Sequence, residues 1–131
     1  MSLQKHRQLQ VWQKAIRLVE KIYIISSNFP ENEKYGLTSQ IRRCAVSISA
    51  NIAEGTGRDS DADFDKFLKI AVGSLYELDS HIEVALLVGY IPESIKDEIL
   101  EQLDEINRML YSLRKHLHEK MLKNSAEKQK H

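Results

Sequence analysis

The segment from Phe29 to Arg58 constrains the fold of this chain most, because its apolar residues recur at the three- and four-residue steps of an α-helix. The first row of these residues consists of Leu37, Ile41, Cys44, Ile48 and Ile52, and the second of Val46, Ala50 and Ala53. Each row needs a surface to pack against, and small residues between the rows allow a neighbouring helix to approach closely. This helix is therefore predicted to be central to packing or assembly.

Three further helices are predicted from apolar spacing and from start and stop signals. The first covers about residues 9–27 and ends before Pro30, because proline disfavours helical geometry in the residue that precedes it. Ser60 can cap the third helix, and Gly89 suits the end of that helix. The fourth helix carries apolar residues over Ile95–Leu117 at steps close to a heptad seam. Short connections favour an all-α fold, an antiparallel up-down-up-down four-helix bundle.

The same spacing predicts which residues of the first and third helices face the core. In the first helix the inward row is Trp12, Ala15, Val19 and Ile22, widened by Val11, Leu18 and Ile25. In the third helix it is Phe64, Phe67, Ala71, Leu75, Leu78, Ile82 and Ala85. The apolar face of the first helix is therefore broad.

The length of 131 residues fits a single domain. Residues 1–122 are predicted to form the bundle, and the polar residues 123–131 a disordered tail. The chain is 42% hydrophobic and can bury a sizeable core. No run approaches the roughly 20 apolar residues that span a bilayer, and the first ten residues lack the apolar stretch of a secretory signal. We therefore expect a cytoplasmic protein with no membrane partner.

Charge is balanced over the whole chain, with 19 basic and 19 acidic residues, but it is distributed unevenly. Both ends are basic and the middle is acidic. If the first and fourth helices are neighbours, the two basic ends can share a face that attracts phosphate. That face would contain Lys14, Arg17 and Lys21 together with Arg114, Lys115 and Lys120. The alternative is two separate solvated faces, which the neutral total charge favours.

Six polar residues lie in or next to the second helix, where burial would be costly unless they were paired. They are Gln40, Arg42, Arg43, Asn51, Glu54 and Arg58. One interpretation is a structural network in which Arg42 or Arg43 meets Glu54 or a carboxylate of another subunit. The other places Arg43 and Arg58 on a groove or pore that holds phosphates. Asn51 can cap or crosslink helices in either case.

The sequence contains no pattern that points to catalysis. Glu77 and His81 are four residues apart without the second copy that a di-iron bundle needs, so we predict no metal site. Arg114 and His118 are closer in sequence than the Arg and His of helical RNases of the HEPN type. The single cysteine, Cys44, lies on an apolar row and is expected to be a buried structural residue. We therefore predict no catalytic residue, no cofactor and no enzymatic activity.

Several segments resemble one known family. FPENEKYGLTSQIRRCAVSISANIAEGTGR at Phe29–Arg58 is the longest match, and VWQKA at Val11–Ala15, DFDKFLKIAVGSLYEL at Asp63–Leu78 and RMLYSLRKHL at Arg108–Leu117 are others. The family is that of the four-helix bundle proteins encoded in intervening sequences of 23S ribosomal RNA genes. The resemblance implies a small helical subunit that assembles as a homopentamer. A relative is the accessory protein of the reverse transcriptase of diversity-generating retroelements.

Two functions follow as hypotheses. The first is a non-enzymatic homo-oligomeric bundle that binds RNA or a nucleic-acid-processing protein. Its contacts would be Lys14, Arg17, Lys21, Arg42, Arg43, Arg58 and Arg114, with Gln40, Asn51 and Glu54 forming a polar network or interface. The alternative is a structural or protein-interaction scaffold that assembles through the second helix and has no affinity for nucleic acid.

Overall fold

The computed structural model describes residues 5–130, and within that range it contains helices and no strand. Two short 3-10 turns, Lys5–Gln8 and Glu31–Glu33, precede the first and second α-helices. The prediction of an all-α fold is confirmed. The four α-helices are α1 (Gln10–Ser26), α2 (Leu37–Thr56), α3 (Asp61–Leu87) and α4 (Glu93–Lys130).

Two of the predicted helix boundaries are formed by the expected residues. Ser60 caps α3, because its hydroxyl oxygen accepts a hydrogen bond of 3.1 Å from the backbone N–H of Asp63. Gly89 follows α3 with a φ of 84°, a conformation that a residue with a side chain rarely adopts. Tyr90 then donates its backbone N–H to the carbonyl of Ala85 over 2.9 Å, which closes the helix end.

Helices that follow one another in the chain pack together, and α4 packs back against α1. The direction of packing is clear between α2 and α3. Ser47 lies 2.8 Å from Ser74 through their hydroxyl oxygens, whereas Gly55, later in α2, lies against Phe64, earlier in α3. The two helices are therefore antiparallel.

Charged pairs show the same relationship between α3 and α4. Lys96, near the start of α4, lies 3.4 Å from Glu83 near the end of α3. Arg114, much later in α4, pairs with Asp65 near the start of α3. These contacts are those expected of an up-down-up-down four-helix bundle.

The core lies along the bundle axis and is made almost entirely of aliphatic side chains. The row predicted for α4 is confirmed, since its central members are buried between the other helices. The side chains that are completely or almost completely buried include Leu18, Ile22, Ile41, Ile48, Ile52, Leu68, Leu78, Ile82, Ile99, Leu103, Ile106 and Leu110.

The inward rows of α1 and α3 differ from the predicted rows in which residues reach the centre. In α1, Leu18 is fully buried whereas Trp12 and Val19 are only partly buried. In α3, Leu68 is fully buried whereas Phe64 packs at the margin of the core. Close packing at the axis favours compact aliphatic side chains, and the larger rings of Trp12 and Phe64 cover the edges.

The two apolar rows of α2 have different surroundings. The first row is buried in the bundle as predicted, with Ile41, Ile48 and Ile52 fully covered. In the second row, Val46 is 40% exposed and Ala50 is exposed. Val46 and Ala50 are therefore exposed, whereas Ala53, the third member of this row, is partly buried.

Helix α2 includes Gly55 and ends at Thr56, and Gly57 follows it as the cap. Gly55 is buried where α3 begins. A Cβ atom at this position would lie 2.7 Å from Cδ1 of Phe64 and 3.2 Å from Cβ of Phe67. The glycine therefore allows two helices to approach closely rather than terminating one.

Helix α4 extends beyond the predicted boundary at residue 122. The helix continues to Lys130, and residues 122–129 are all exposed. Most of these residues favour helix, so the backbone can continue the helix without packing against the core. His131 of the predicted tail, and residues 1–4 of the predicted domain, lie outside the described part of the chain. Within residues 5–130, no helix is both long and apolar enough to cross a membrane.

Candidate functional site

The basic residues of α1 lie against the acidic part of α4. Lys14 Nζ is 3.2 Å from a carboxylate oxygen of Glu105, and Lys21 Nζ is 2.5 Å from one of Glu98. Arg17, between them, is 3.5 Å from the glutamate three residues later in its own helix. These three predicted phosphate contacts therefore each have a carboxylate neighbour within the chain.

The basic residues of α4 point toward α3 instead. Arg114 donates from Nε to Oδ1 of Asp65 over 2.8 Å, and Lys120 lies 3.4 Å from Asp61. Lys14 and Lys21 pair with α4 whereas Arg114 and Lys120 pair with α3, so these residues do not form the one face that was predicted. Charge complementarity between neighbouring helices thus separates the two groups.

Two arginines of the central segment lie over aromatic rings. Arg42 donates from Nε to the hydroxyl of Ser26 over 2.8 Å, and its guanidinium carbon lies 4.6 Å from the centre of the Tyr23 ring. The guanidinium carbon of Arg58 lies 4.4 Å from the centre of the Phe67 ring. Such contacts fix the side chain by cation–π attraction and cover the ring. Arg42 therefore connects α2 to α1, and Arg58, directly after α2, contacts α3.

The three residues predicted to form a polar network all have partners in α2 or directly after it. Gln40 accepts a hydrogen bond of 2.8 Å from Arg43. Asn51 donates to the backbone carbonyl of Ser47 over 2.8 Å and contacts its hydroxyl at 3.0 Å. Glu54 accepts from the arginine four residues later over 2.6 Å. The network is local, and the predicted pairing of an arginine with Glu54 involves Arg58, not Arg42 or Arg43.

A second polar cluster lies where α2 meets α3. Arg43 donates to Oε1 of Glu77 over 3.0 Å, and the thiol of Cys44 donates to Oε2 of the same carboxylate over 2.9 Å. His81 lies one turn further along α3, with Nε2 3.9 Å from Oε1 of Glu77. This distance is too long for a hydrogen bond. Nothing in the sequence connects Cys44 with the Glu77–His81 pair, and the structure brings them together.

The contacts in this cluster alter the acidity of both groups. Burial, together with the hydrogen bond to Glu77, raises the pKa of the Cys44 thiol to about 12. The same hydrogen bond from Cys44, followed by that from Arg43, lowers the pKa of Glu77. Without a metal ion, the cluster therefore contains a protonated thiol and a charged carboxylate at neutral pH.

Asp65 is the buried charge that the sequence analysis missed. Its side chain is 8% exposed, and its second oxygen lies 3.0 Å from Nε2 of His118. Burial alone would raise the pKa of Asp65, but the hydrogen bonds and charges of Arg114 and His118 outweigh burial and lower it. Its position on the inward face of α3, three residues before Leu68, is the feature of the sequence that indicates burial of Asp65.

Comparison with known families shows to which family this chain belongs. The profile of the family described as 23S rRNA-intervening sequence protein matches residues 7–112. The chain belongs to this family. No match was found among curated proteins.

A solved structure supports the relationship to the 23S rRNA-intervening sequence proteins. The crystal structure of a protein from Bacteroides thetaiotaomicron, described as a protein with unknown function from the S23 ribosomal protein family, is similar with a TM-score of 0.72. The two sequences are 30% identical, and the alignment covers 80% of this chain and 98% of the other. The four-helix fold is therefore shared with that protein.

The region that matches the 23S rRNA-intervening sequence family contains most of the site residues. Cys44, Glu77, His81 and Asp65 all lie within residues 7–112. Arg114 and His118, the partners of Asp65, lie just beyond that region, as does the exposed end of α4. The ion pair between α3 and α4 thus joins the matched region to the remainder of the chain.

Proposed function

We propose that this 23S rRNA-intervening sequence protein is a non-enzymatic scaffold subunit that assembles with copies of itself through the outer faces of α2 and α3. The observation that carries this proposal is the second apolar row of α2, in which Val46 is 40% exposed and Ala50 is exposed. A helix with one buried row and exposed apolar residues on a second row is typical of a contact between subunits.

The neighbouring face of α3 extends this apolar surface. Ile70 is 50% exposed, and Gly73 is exposed with open space around its α-carbon. Continuing the antiparallel register from the contact between Ser47 and Ser74 brings Ala50 level with residues 70 and 71. We call Val46, Ala50, Ile70 and Gly73 the assembly patch. Its small residues would let a helix of another subunit approach closely.

The distribution of charges favours a scaffold over a nucleic-acid module. All seven predicted contact residues lie near a carboxylate or over an aromatic ring of the same chain, and the chain has no net charge. Phosphate binding would have to replace several of these contacts. The family resemblance favours a pentamer, and we propose a cytoplasmic setting.

Binding of RNA or of a nucleic-acid-processing protein is the second candidate, because the end of α4 is basic and uncovered. Residues 114–131 contain six basic and two acidic residues. Lys115 is exposed near the buried Leu117, and Lys123 and Lys128 are exposed on the part of α4 that leaves the bundle. An exposed helix with basic residues can follow a phosphate backbone, and such binding falls steeply with salt.

Light scattering of the wild type and two variants tests the scaffold proposal. The wild type should form a discrete oligomer, and Ala50→Glu should dissociate it while keeping its helix content, because the charge would be buried at the contact. Ala62→Glu is the matched control, since Ala62 is also exposed but lies at the start of α3, away from the assembly patch. A wild type that stays monomeric at high concentration would overturn the proposal.

Titration of labelled ribosomal RNA and of a DNA of equal length, at two salt concentrations, tests the second candidate. Salt-sensitive RNA binding that weakens in Lys123→Ala would favour a nucleic-acid role for α4. Weakening in Lys14→Ala or Arg43→Ala would instead favour the contacts predicted from the sequence. An oligomer that binds neither nucleic acid supports the scaffold alone.

A further inference from the structure

Three potential metal ligands from two helices converge where α2 packs on α3. The sulfur of Cys44, a carboxylate oxygen of Glu77 and an imidazole nitrogen of His81 all lie within 4.8 Å of one another. Bonds of about 2.0 to 2.3 Å to Zn²⁺ place the donors of a tetrahedral site roughly 3 to 4 Å apart. Small rotations of these side chains would therefore bring all three donors to bonding distance around one ion.

The imidazole of His81 provides a second and independent observation. Its Nε2 atom is buried and has no hydrogen-bond partner among the described residues. A buried polar atom without a partner is costly, so its persistence points to a ligand that the nitrogen can bind. The same nitrogen lies 3.9 Å from Oε1 of Glu77, another member of the group.

We propose that Cys44, Glu77 and His81 bind a thiophilic divalent cation, for which Zn²⁺ is the best fit. A thiolate, an imidazole and a carboxylate form a donor set that zinc accepts, with water completing the tetrahedron. Binding forms a bond between the metal and the Cys44 sulfur and releases the thiol proton to solvent. This inference is independent of self-association.

Arg43 is the group that must yield when the ion binds. Its guanidinium contacts Oε1 of Glu77 at 3.0 Å, and its side chain is 56% exposed. The side chain can therefore turn toward water and leave the carboxylate free to bind the metal. The bound ion would then connect α2 to α3, since Cys44 belongs to one helix and Glu77 and His81 to the other.

Cobalt titration of the full-length, reduced and chelator-treated protein tests the site. Co²⁺ bound by a thiolate gives a charge-transfer absorption in the near ultraviolet, and Cys44 is the single cysteine of the chain. We expect this absorption to saturate at one ion per chain, to be displaced by Zn²⁺, and to disappear in Cys44→Ser. Zn²⁺ should also raise the melting temperature of the wild type.

Two ligand variants guard against misfolding of Cys44→Ser, and two others serve as controls. His81→Gln and Glu77→Gln should weaken binding by more than the roughly 10- to 100-fold that follows loss of a supporting group. His116→Gln, on an exposed histidine, and Arg43→Gln should retain binding. No thiolate absorption in folded wild type would overturn the proposal. The proposal would also be overturned if His81→Gln and Glu77→Gln both bound Co²⁺ with unchanged affinity, or if Arg43→Gln lost binding.

Discussion

Asp65 of α3 and Arg114 of α4 form an ion pair at the edge of the core, in which Oδ1 accepts a hydrogen bond of 2.8 Å from Nε. The aspartate side chain is 8% exposed and the arginine side chain 26%. His118, one turn after Arg114, contacts the other carboxylate oxygen at 3.0 Å. A carboxylate this well covered is stable as an anion only because it has these partners.

Replacing Asp65 by asparagine should destabilise the fold. The change leaves Arg114 without its anion near the core, and loss of one partner of a buried pair costs about 3 to 5 kcal/mol. Because Arg114 and His118 both reach solvent, we expect a smaller loss of about 2 to 3 kcal/mol. Urea unfolding measures this value, and Asp79→Asn, on an exposed residue of the same helix, should change it little. Equal effects of the two substitutions would contradict the structural role of the pair.

The contribution of Asp65 should depend on pH in the acid range. Its pKa is lowered in the folded state, so the contribution is fully present above the unfolded pKa of about 3.9 and is lost as the pH falls through the folded value. The difference in free energy of unfolding between wild type and Asp65→Asn should therefore narrow below about pH 4. The pKa values of Glu33 and Glu77 are lowered as well, so these two carboxyls also contribute to the pH dependence of the wild type. The contribution of Asp65 is therefore obtained from the difference between the wild type and Asp65→Asn at each pH. A constant difference from pH 7 to pH 3 would refute the assignment.

Truncation of Leu75 tests the core of α3, where the predicted inward position is confirmed. Leu75 is 5% exposed, and Leu75→Ala should lower the free energy of unfolding by about 2 to 5 kcal/mol, as for other buried leucines. Leu87, near the end of the same helix, is 76% exposed. Leu87→Ala should change stability by no more than about 0.5 kcal/mol. Chemical denaturation of the two variants separates burial from any general effect of replacing leucine in this helix.

Local signals in the sequence predicted the helices and several of their ends. The hydroxyl of Ser60 and the left-handed conformation of Gly89 act within one or two turns of the residues they serve. Apolar spacing likewise depends on one helix alone, and for this reason it identified most of the core. The predicted row of α3 omitted Leu68, which is fully buried, and included Phe64, whose ring lies at the margin of the core.

The polar clusters could not be predicted in the same way. Periodicity determines which residues of a helix share a face, but not how far two helices slide along each other. The contact of Cys44 with Glu77 depends on that offset between α2 and α3. The contact of Asp65 with Arg114 depends on the corresponding offset between α3 and α4. Both clusters became visible only when the helices were placed together.

Two glycines of this chain provide a matched test of close helix packing. Gly55→Ala would place a methyl group 2.7 Å from the Phe64 ring, and overpacking of this kind costs about 1 to 3 kcal/mol. Gly73 lies in α3 with nothing within 4 Å of the added methyl group. Gly73→Ala should therefore stabilise the isolated subunit by about 0.5 to 1 kcal/mol through helix propensity.

Thermal unfolding measures the change in melting temperature of both glycine variants. Two protein concentrations are needed because Gly73 belongs to the proposed assembly patch, and assembly makes the melting temperature depend on concentration. We expect opposite shifts for the two variants. A Gly55→Ala protein as stable as the wild type would mean that the Phe64 ring moves aside freely, and that the start of α3 does not require a glycine at this crossing.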